Sequence, residues 1–265
     1  MSGFTTDWLT LREPVDQRSR NTAILDSIER YFQNKDSITA MDLASGRGSM
    51  IRALSPRLPT RQVWHAVDDE SALLGEAELT GNGTIRLEPR LVELAENLED
   101  VLSVAVDLVT TSAFIDLVSE SWLDRLVRGV TARSRPIYIG MSYDGHILCE
   151  PDDDLDETVV AAFGRHQRGD KGFGPALGPA AAMAAAEKFR AAGYVVMVER
   201  ADWHLRQDER ELQSTMVAGW FAAVSELGEV DPGALQAWHN RRQAWIAEGR
   251  SMMTVGHLDV WATPR

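Results

Sequence analysis

A single cysteine, Cys149, stands among 265 residues; an intrachain disulfide is therefore excluded, and the composition fits a reducing compartment. Long apolar runs are also missing. No stretch of about 18 uncharged apolar residues occurs, and the opening MSGFTTDWLTLREPVDQRSR has no hydrophobic signal core. The expectation is a cytoplasmic protein that neither crosses a membrane nor is secreted. Basic charge is scarce as well: 27 Lys+Arg face 40 Asp+Glu, a formal net charge of −13. Duplex binding rests largely on Lys and Arg against phosphates. The nearest candidates, Arg18/Arg20 and Arg241/Arg242, are isolated pairs that solvated helix faces explain, so no nucleic-acid partner is expected. What remains is ordinary globular material, a quarter charged and 44% hydrophobic. A chain of this length buries roughly 70–75% of its unfolded surface without needing a metal or a disulfide.

Strand and helix patterns alternate through the first half. A polar helix over roughly 16–34 precedes an apolar strand at 38–43; Gly46 and Gly48 then break the chain before a helical run, 50–57. Strands are expected at 62–67, 84–87, 105–111 and 136–141, separated by helices at 72–79, 91–102 and 121–132, with Gly81-Asn82-Gly83 as a turn. Such alternation with short connections implies a parallel sheet covered on both faces, and there are too few units for a barrel. The second half differs. Residues 143–178 read as a long ordered excursion, 179–192 as an Ala-rich helix, 194–199 as a strand, 208–227 and 232–248 as helices, and 254–262 as a final strand. The fold class is α/β, doubly wound. One domain is expected: an N-terminal helical cap (1–35), a core (36–142), and an elaborated C-terminal part (143–265).

The sharpest local signal is Met41-Asp42-Leu43-Ala44-Ser45-Gly46-Arg47-Gly48-Ser49, placed between the first strand and its helix. Small residues there let a ligand approach the backbone, and a helix start presents free N–H groups. A dinucleotide fingerprint would need Gly or Ala where Ile51 stands, and a phosphate loop at Gly164–Gly169 would need Lys where Asp170 stands.

Asp42-Leu43-Ala44-Ser45-Gly46-Arg47-Gly48 resembles the first motif of the class I S-adenosylmethionine-dependent methyltransferases, with Ala44 in place of one glycine. The resemblance implies a Rossmann-like methyltransferase fold with a mostly parallel seven-stranded sheet and an antiparallel final strand. It also implies S-adenosylmethionine as cofactor and S-adenosylhomocysteine as product. On the matching positions, Asp42, Ala44, Ser45, Gly46 and Gly48 form the cofactor turn, and Asp68, beside Asp69, holds the ribose hydroxyls. Leu91 packs on adenine, Arg90 standing where the family often has an acid, and Ser112 lines the methionine end. Arg12, in a segment able to close over the cofactor, is the expected partner of the methionine carboxylate.

Acceptor-side candidates follow the fifth strand. His166 is the expected general base; Asp144 and Asp170 orient it or bind a basic acceptor directly, and Tyr143 is a further catalytic candidate. Asp170, Lys171, Phe173 and Trp203 are candidate substrate contacts, Tyr143 and Phe173 by stacking on a flat acceptor. The acidic run Glu150–Glu157 lacks the glycine and the terminal Glu of a calcium loop and reads as the cap of a helix that begins near Leu155, so no metal is expected. The helices at 208–248 form either a lid over the acceptor or a subunit interface, and monomer and homodimer both stay open. The function expected is methyl transfer to an oxygen or nitrogen of a small-molecule acceptor. A nucleotide-dependent enzyme of the same fold and a non-catalytic partner protein are the alternatives.

Overall fold

The computed structural model describes residues 6–75 and 84–265. Five strands, β1 (Ser37–Leu43), β2 (Arg61–Asp68), β3 (Ile85–Leu91), β4 (Leu108–Ser112) and β5 (Ile137–Glu150), run parallel. β6 (Val195–Arg200) and β7 (Trp203–Leu205) both pair antiparallel with β8 (Met252–Thr263), which is itself antiparallel to β5. The sheet order is β3-β2-β1-β4-β5-β8-β6, with β7 continuing along β8 where β6 stops. The eighth strand, β7, was not expected from the sequence, because a three-residue strand is too short to show a period. The expected helix at 72–79 begins as α4, Ser71–Gly75. The rest of that helix and the Gly81-Asn82-Gly83 turn lie outside the described residues.

The expected N-terminal helix is two. α1 spans Thr6–Ser19 and α2 spans Thr22–Phe32, broken because the Asn21 side chain accepts the Ile24 N–H at 3.2 Å and starts a new helix. α3 (Ser49–Leu54) follows the glycine turn. On the α2/α3 face, Ile24, Ile28, Phe32, Trp64, Tyr138 and Trp261 form one core. On the other face, α5 (Leu94–Ser103), α6 (Glu120–Thr131) and α8 (Ala181–Ala191) pack over Val109, Ile137 and Ile139. Each fully buried aliphatic side chain contributes about 1.5–3 kcal/mol, which makes the β1–β4–β5 centre the anchor of the fold.

A third core differs most from expectation. β5 does not stop near 141 but runs on to Glu150, so Tyr143 and Asp144 are strand residues and not loop residues. This extension and the start of β8 carry α7 (Asp156–His166), α9 (Arg210–Leu227) and α10 (Pro232–Ala247) on a cluster that includes Trp203, Val217, Trp220 and Trp238. α7 starts at Asp156, where the acidic run was expected to cap a helix beginning near Leu155. The two arginine pairs also need correction, since neither is a simple solvated pair. Arg242 is wholly buried, donating to Pro151 O at 2.6 Å and Asp156 Oδ1 at 3.1 Å, and stacks 5.0 Å from the Trp245 ring centre. Arg20 is buried at the sheet centre, reaching Ser112 Oγ at 3.1 Å and the Tyr138 hydroxyl at 3.3 Å. The Tyr138 hydroxyl in turn donates to Asp259 at 2.8 Å. A Cβ at Gly140 would lie 2.5 Å from Arg20 Nη1, so a larger residue there would have to displace the guanidinium. Among the described residues no helix is long and apolar enough to cross a membrane.

Candidate functional site

The glycine turn lies at the carboxyl end of β1. Ala44, Gly46 and Gly48 all adopt positive φ (51°, 51° and 78°), a conformation that costs Ala44 energy and that glycine adopts freely. Ser45 N–H donates to Val67 O at 2.9 Å, and Gly48 N–H donates to Ser45 O at 2.8 Å. Asp42 is buried beneath the turn and accepts the hydroxyls of Ser45 at 2.8 Å and Thr110 at 2.7 Å. Burial pushes its carboxyl up to about 6 against the pull of those hydrogen bonds. Asp42 and Ser45 are thus turned toward each other and shape the turn, whereas the sequence had them facing a ligand.

Asp68 ends β2 and ties its strand to the turn. One carboxylate oxygen accepts Gly46 N–H at 2.7 Å and the other accepts Glu70 N–H at 3.0 Å. Burial raises its pKa, and those two N–H donors oppose the rise. Asp69 beside it is exposed. Leu91 is the register partner of Asp68 on β3 and is 62% exposed, a large apolar side chain left bare on the strand next to the carboxylate. A groove of about 420 Å³ runs past it, lined by Arg90, Leu91, Glu93 and Asn97 among others.

α1 lies across the turn. Leu9 would be 3.6 Å from a Cβ on Gly46, Thr10 accepts a hydrogen bond from Arg47, and Glu13 pairs with Arg52 at 2.6 and 2.7 Å. The expected closing segment is therefore in place, but Arg12 faces another way. Its guanidinium donates to both Asp16 oxygens at 2.9 and 3.1 Å and stacks 5.1 Å from the Trp203 ring centre. Ser112 likewise is not free, since it accepts Arg20.

The acceptor-side candidates do not converge as expected. His166 ends α7 and pairs with Glu226 of α9 at 3.0 Å, with neither Asp144 nor Asp170 as its partner. Asp144 accepts His146 N–H and lies 3.4 Å from Arg200. Asp170 is exposed and accepts Gly172 and Gly174 N–H at 2.7 and 3.1 Å, forming a turn, and Lys171 stands in that same turn. Phe173 packs edge-on against Phe114 and Trp122, 5.2 and 5.8 Å from their ring centres, partly buried against the core. Among the described residues, no group of three or more His, Cys, Asp or Glu could hold a metal ion.

A different set does converge. Beyond β4, the turn Ile115–Leu117 packs against β5 and carries Asp116, whose Oδ1 is enclosed without a hydrogen-bond partner. Burial raises Asp116 to about 6 against the pull of its own backbone N–H and the attraction of Arg12. Tyr143 is buried with its hydroxyl also unpartnered, and burial, then the charges of Asp144 and Asp116, raise its pKa. Its strand partner His257 lies 6.3 Å away ring to ring and 4.9 Å from Trp203. Burial and Arg12 hold His257 down to about 4, so it is neutral at physiological pH. Trp203 Nε1 donates to Asp16 at 3.0 Å. Asp116 and His257 were missed by sequence reasoning because they come from segments far apart in the chain. The unusual Ala113, at φ 51° just before Asp116, is visible only in the backbone.

Sheet order and the antiparallel β8 are those of the Rossmann-like methyltransferase fold of the class I S-adenosylmethionine-dependent enzymes. The chain is similar, at 13% identity and a TM-score of 0.56, to a cyclopropane-fatty-acyl-phospholipid synthase-like protein from Lactobacillus casei, covering 98% of this chain and 94% of that one. It is similar to a candidate methyltransferase from Bacillus halodurans at 12% identity and a TM-score of 0.51, over 91% and 99% of the two chains. No family model matches the chain, and no curated protein matches it by sequence.

Proposed function

We propose that this protein is an S-adenosylmethionine-dependent methyltransferase acting on an oxygen or nitrogen of a small-molecule acceptor. One arrangement carries the reading: a glycine turn with three positive-φ residues, laced to a buried Asp68 and flanked one strand away by the bare Leu91. Each Asp68 oxygen accepts one backbone N–H, and a carboxylate oxygen has room for a second donor. A pair of ribose hydroxyls fits that capacity. Leu91 supplies an apolar surface for a purine, and the Ser49 hydroxyl, enclosed and unpartnered just past the turn, has hydrogen-bonding capacity unused. When bound, the cofactor supplies a methyl group activated on a sulfonium sulfur. The chain's own part is to hold the turn rigid through Asp42, Ser45 and Thr110, and to exclude water with α1. Alignment and a dry site carry much of the acceleration of an in-line displacement.

The test is calorimetric titration of the protein with S-adenosylmethionine and S-adenosylhomocysteine, with NAD as control. Micromolar binding of both sulfur compounds and none of NAD is the expected result. NAD binding alone, or no binding at all, would overturn the reading.

A further inference from the structure

Asp116 is the one enclosed carboxylate oxygen among the described residues that meets no hydrogen-bond donor. Leaving such a group unpaired carries the penalty of its lost hydration, so its presence in a native structure calls for an explanation. Asp116 as a residue is not closed off: it is part-exposed although Oδ1 is covered. The Tyr143 hydroxyl, on a residue only 8% exposed, is unpartnered on the neighbouring strand. The surrounding walls are aromatic: Tyr143 lies 5.9 Å from Phe163 and 6.3 Å from His257, and His257 lies against Trp203. That wall already holds one cation, since Arg12 stacks on Trp203, and its charge is matched there by Asp16.

From this geometry we propose that Asp116 and Tyr143 form the acceptor subsite of the methyltransferase proposed above, and that the acceptor presents a primary or secondary amine on a compact apolar body. The proposal rests on that reading for its chemistry but stands on its own residues for binding. A carboxylate accepts hydrogen bonds and donates none when ionised, so it selects an N–H or ammonium donor and repels a carboxylate or phosphate. Aromatic faces add to the preference for a cation. Of the charged and titratable groups, Arg12 on α1 attracts the Asp116 carboxylate, and Asp116 in turn acts on Tyr143 of β5, which Asp144 also faces. The Arg12 charge is already matched by Asp16, and Asp116 Oδ1 keeps its accepting capacity unused. In the transfer, the nitrogen lone pair forms the new N–C bond while the carbon–sulfur bond breaks and its electron pair stays on sulfur. Beforehand the bound ammonium gives one proton to the Asp116 carboxylate, which frees that lone pair, and the methylated nitrogen keeps its positive charge and leaves as an ammonium ion. Burial holds Asp116 up to about 6, nearer than an ordinary carboxylate to the pH at which it would have to accept that proton.

The experiment titrates benzylamine, benzyl alcohol and benzoate into the protein, with and without saturating S-adenosylhomocysteine. Benzylamine is expected to bind at least tenfold more tightly than the alcohol or the benzoate. Asp116→Asn is expected to weaken benzylamine at least tenfold, and Tyr143→Phe several-fold, with S-adenosylhomocysteine affinity unchanged in both. Thermal unfolding of each variant confirms that it is folded. Benzoate binding as well as benzylamine, no benzylamine binding by the wild type, or an Asp116→Asn variant with undiminished amine binding would each overturn the proposal. A protein that takes benzylamine at Asp116 but no S-adenosylhomocysteine would leave the amine subsite standing and sink the methyltransferase reading instead.

Discussion

The two ends of the central sheet's carboxyl edge are built differently. At β1 and β2, the turn and its carboxylates bond mostly to each other and to backbone at the ends of these two adjacent strands: Asp42 to Ser45, Ser45 to Val67, Asp68 to Gly46 and Glu70. At β4, β5 and β8, the converging groups are Arg12, Asp116, Tyr143, Trp203 and His257, one from each of five separate segments. The first end is held by local hydrogen bonds. The second is held by the third core, in which a wholly buried Arg242 is matched to Asp156. A site made of neighbours tolerates the loss of a distant helix, whereas a site made of five segments depends on every element that brings them together.

Breaking the third core should separate the two ends most clearly. Arg242→Ala leaves Asp156 and Pro151 O without their donor, at a cost of about 3–5 kcal/mol. Hydrogen exchange is expected to speed up first in α7, α9 and α10 while β1 and β2 stay protected. Uniform acceleration would mean that the two regions are one cooperative unit.

Next in size is a pH effect at the turn. The folded-state pKa of Asp42 is raised from 3.8 to about 6, so the native state holds this proton more tightly than the unfolded chain does. That stabilisation is complete below about pH 4 and is lost as pH rises through 6, a change of about 3 kcal/mol. Asp116 acts in the same direction. His257, lowered from 6.5 to about 4, acts in the opposite one, adding stability as pH rises from about 4 to 6.5. Urea unfolding at a series of pH values is therefore expected to show Asp42→Asn gaining on the wild type by about 3 kcal/mol between pH 4 and 6. A constant difference across that window would contradict the burial argument.

Asp68→Ala removes the group proposed to hold the ribose and is expected to weaken S-adenosylhomocysteine binding by at least tenfold, read by calorimetry. Unchanged affinity would remove Asp68 from the cofactor site. The smallest effect is at His166. Its partner Glu226 is largely exposed, so His166→Ala is expected to cost about 1 kcal/mol or less and to leave turnover unchanged. A large loss of activity would restore the base role that the sequence suggested.

That contrast also explains what could be read from the chain. The glycine turn, Asp68 and the parallel order were legible because a strand end, a turn and a helix start occupy contiguous residues with fixed chemical demands. Residues 143–150 were misread because composition alone marks a loop. The β-extension of β5 exists only through its pairing with β8, a partner more than a hundred residues away. His166 had the right chemistry in the wrong place, its helix carrying it to α9. Asp116 had no motif around it, and only burial without a donor distinguishes it. Arg20 and Arg242 looked like surface residues because their carboxylate and hydroxyl partners are remote in sequence.

The most direct measurement is a crystal structure of the complex with S-adenosylhomocysteine. The account predicts both ribose hydroxyls within about 3 Å of the Asp68 carboxylate and Leu91 covered by adenine. A ligand bound elsewhere, with Asp68 still bonded only to Gly46 and Glu70 and with Leu91 still bare, would contradict it.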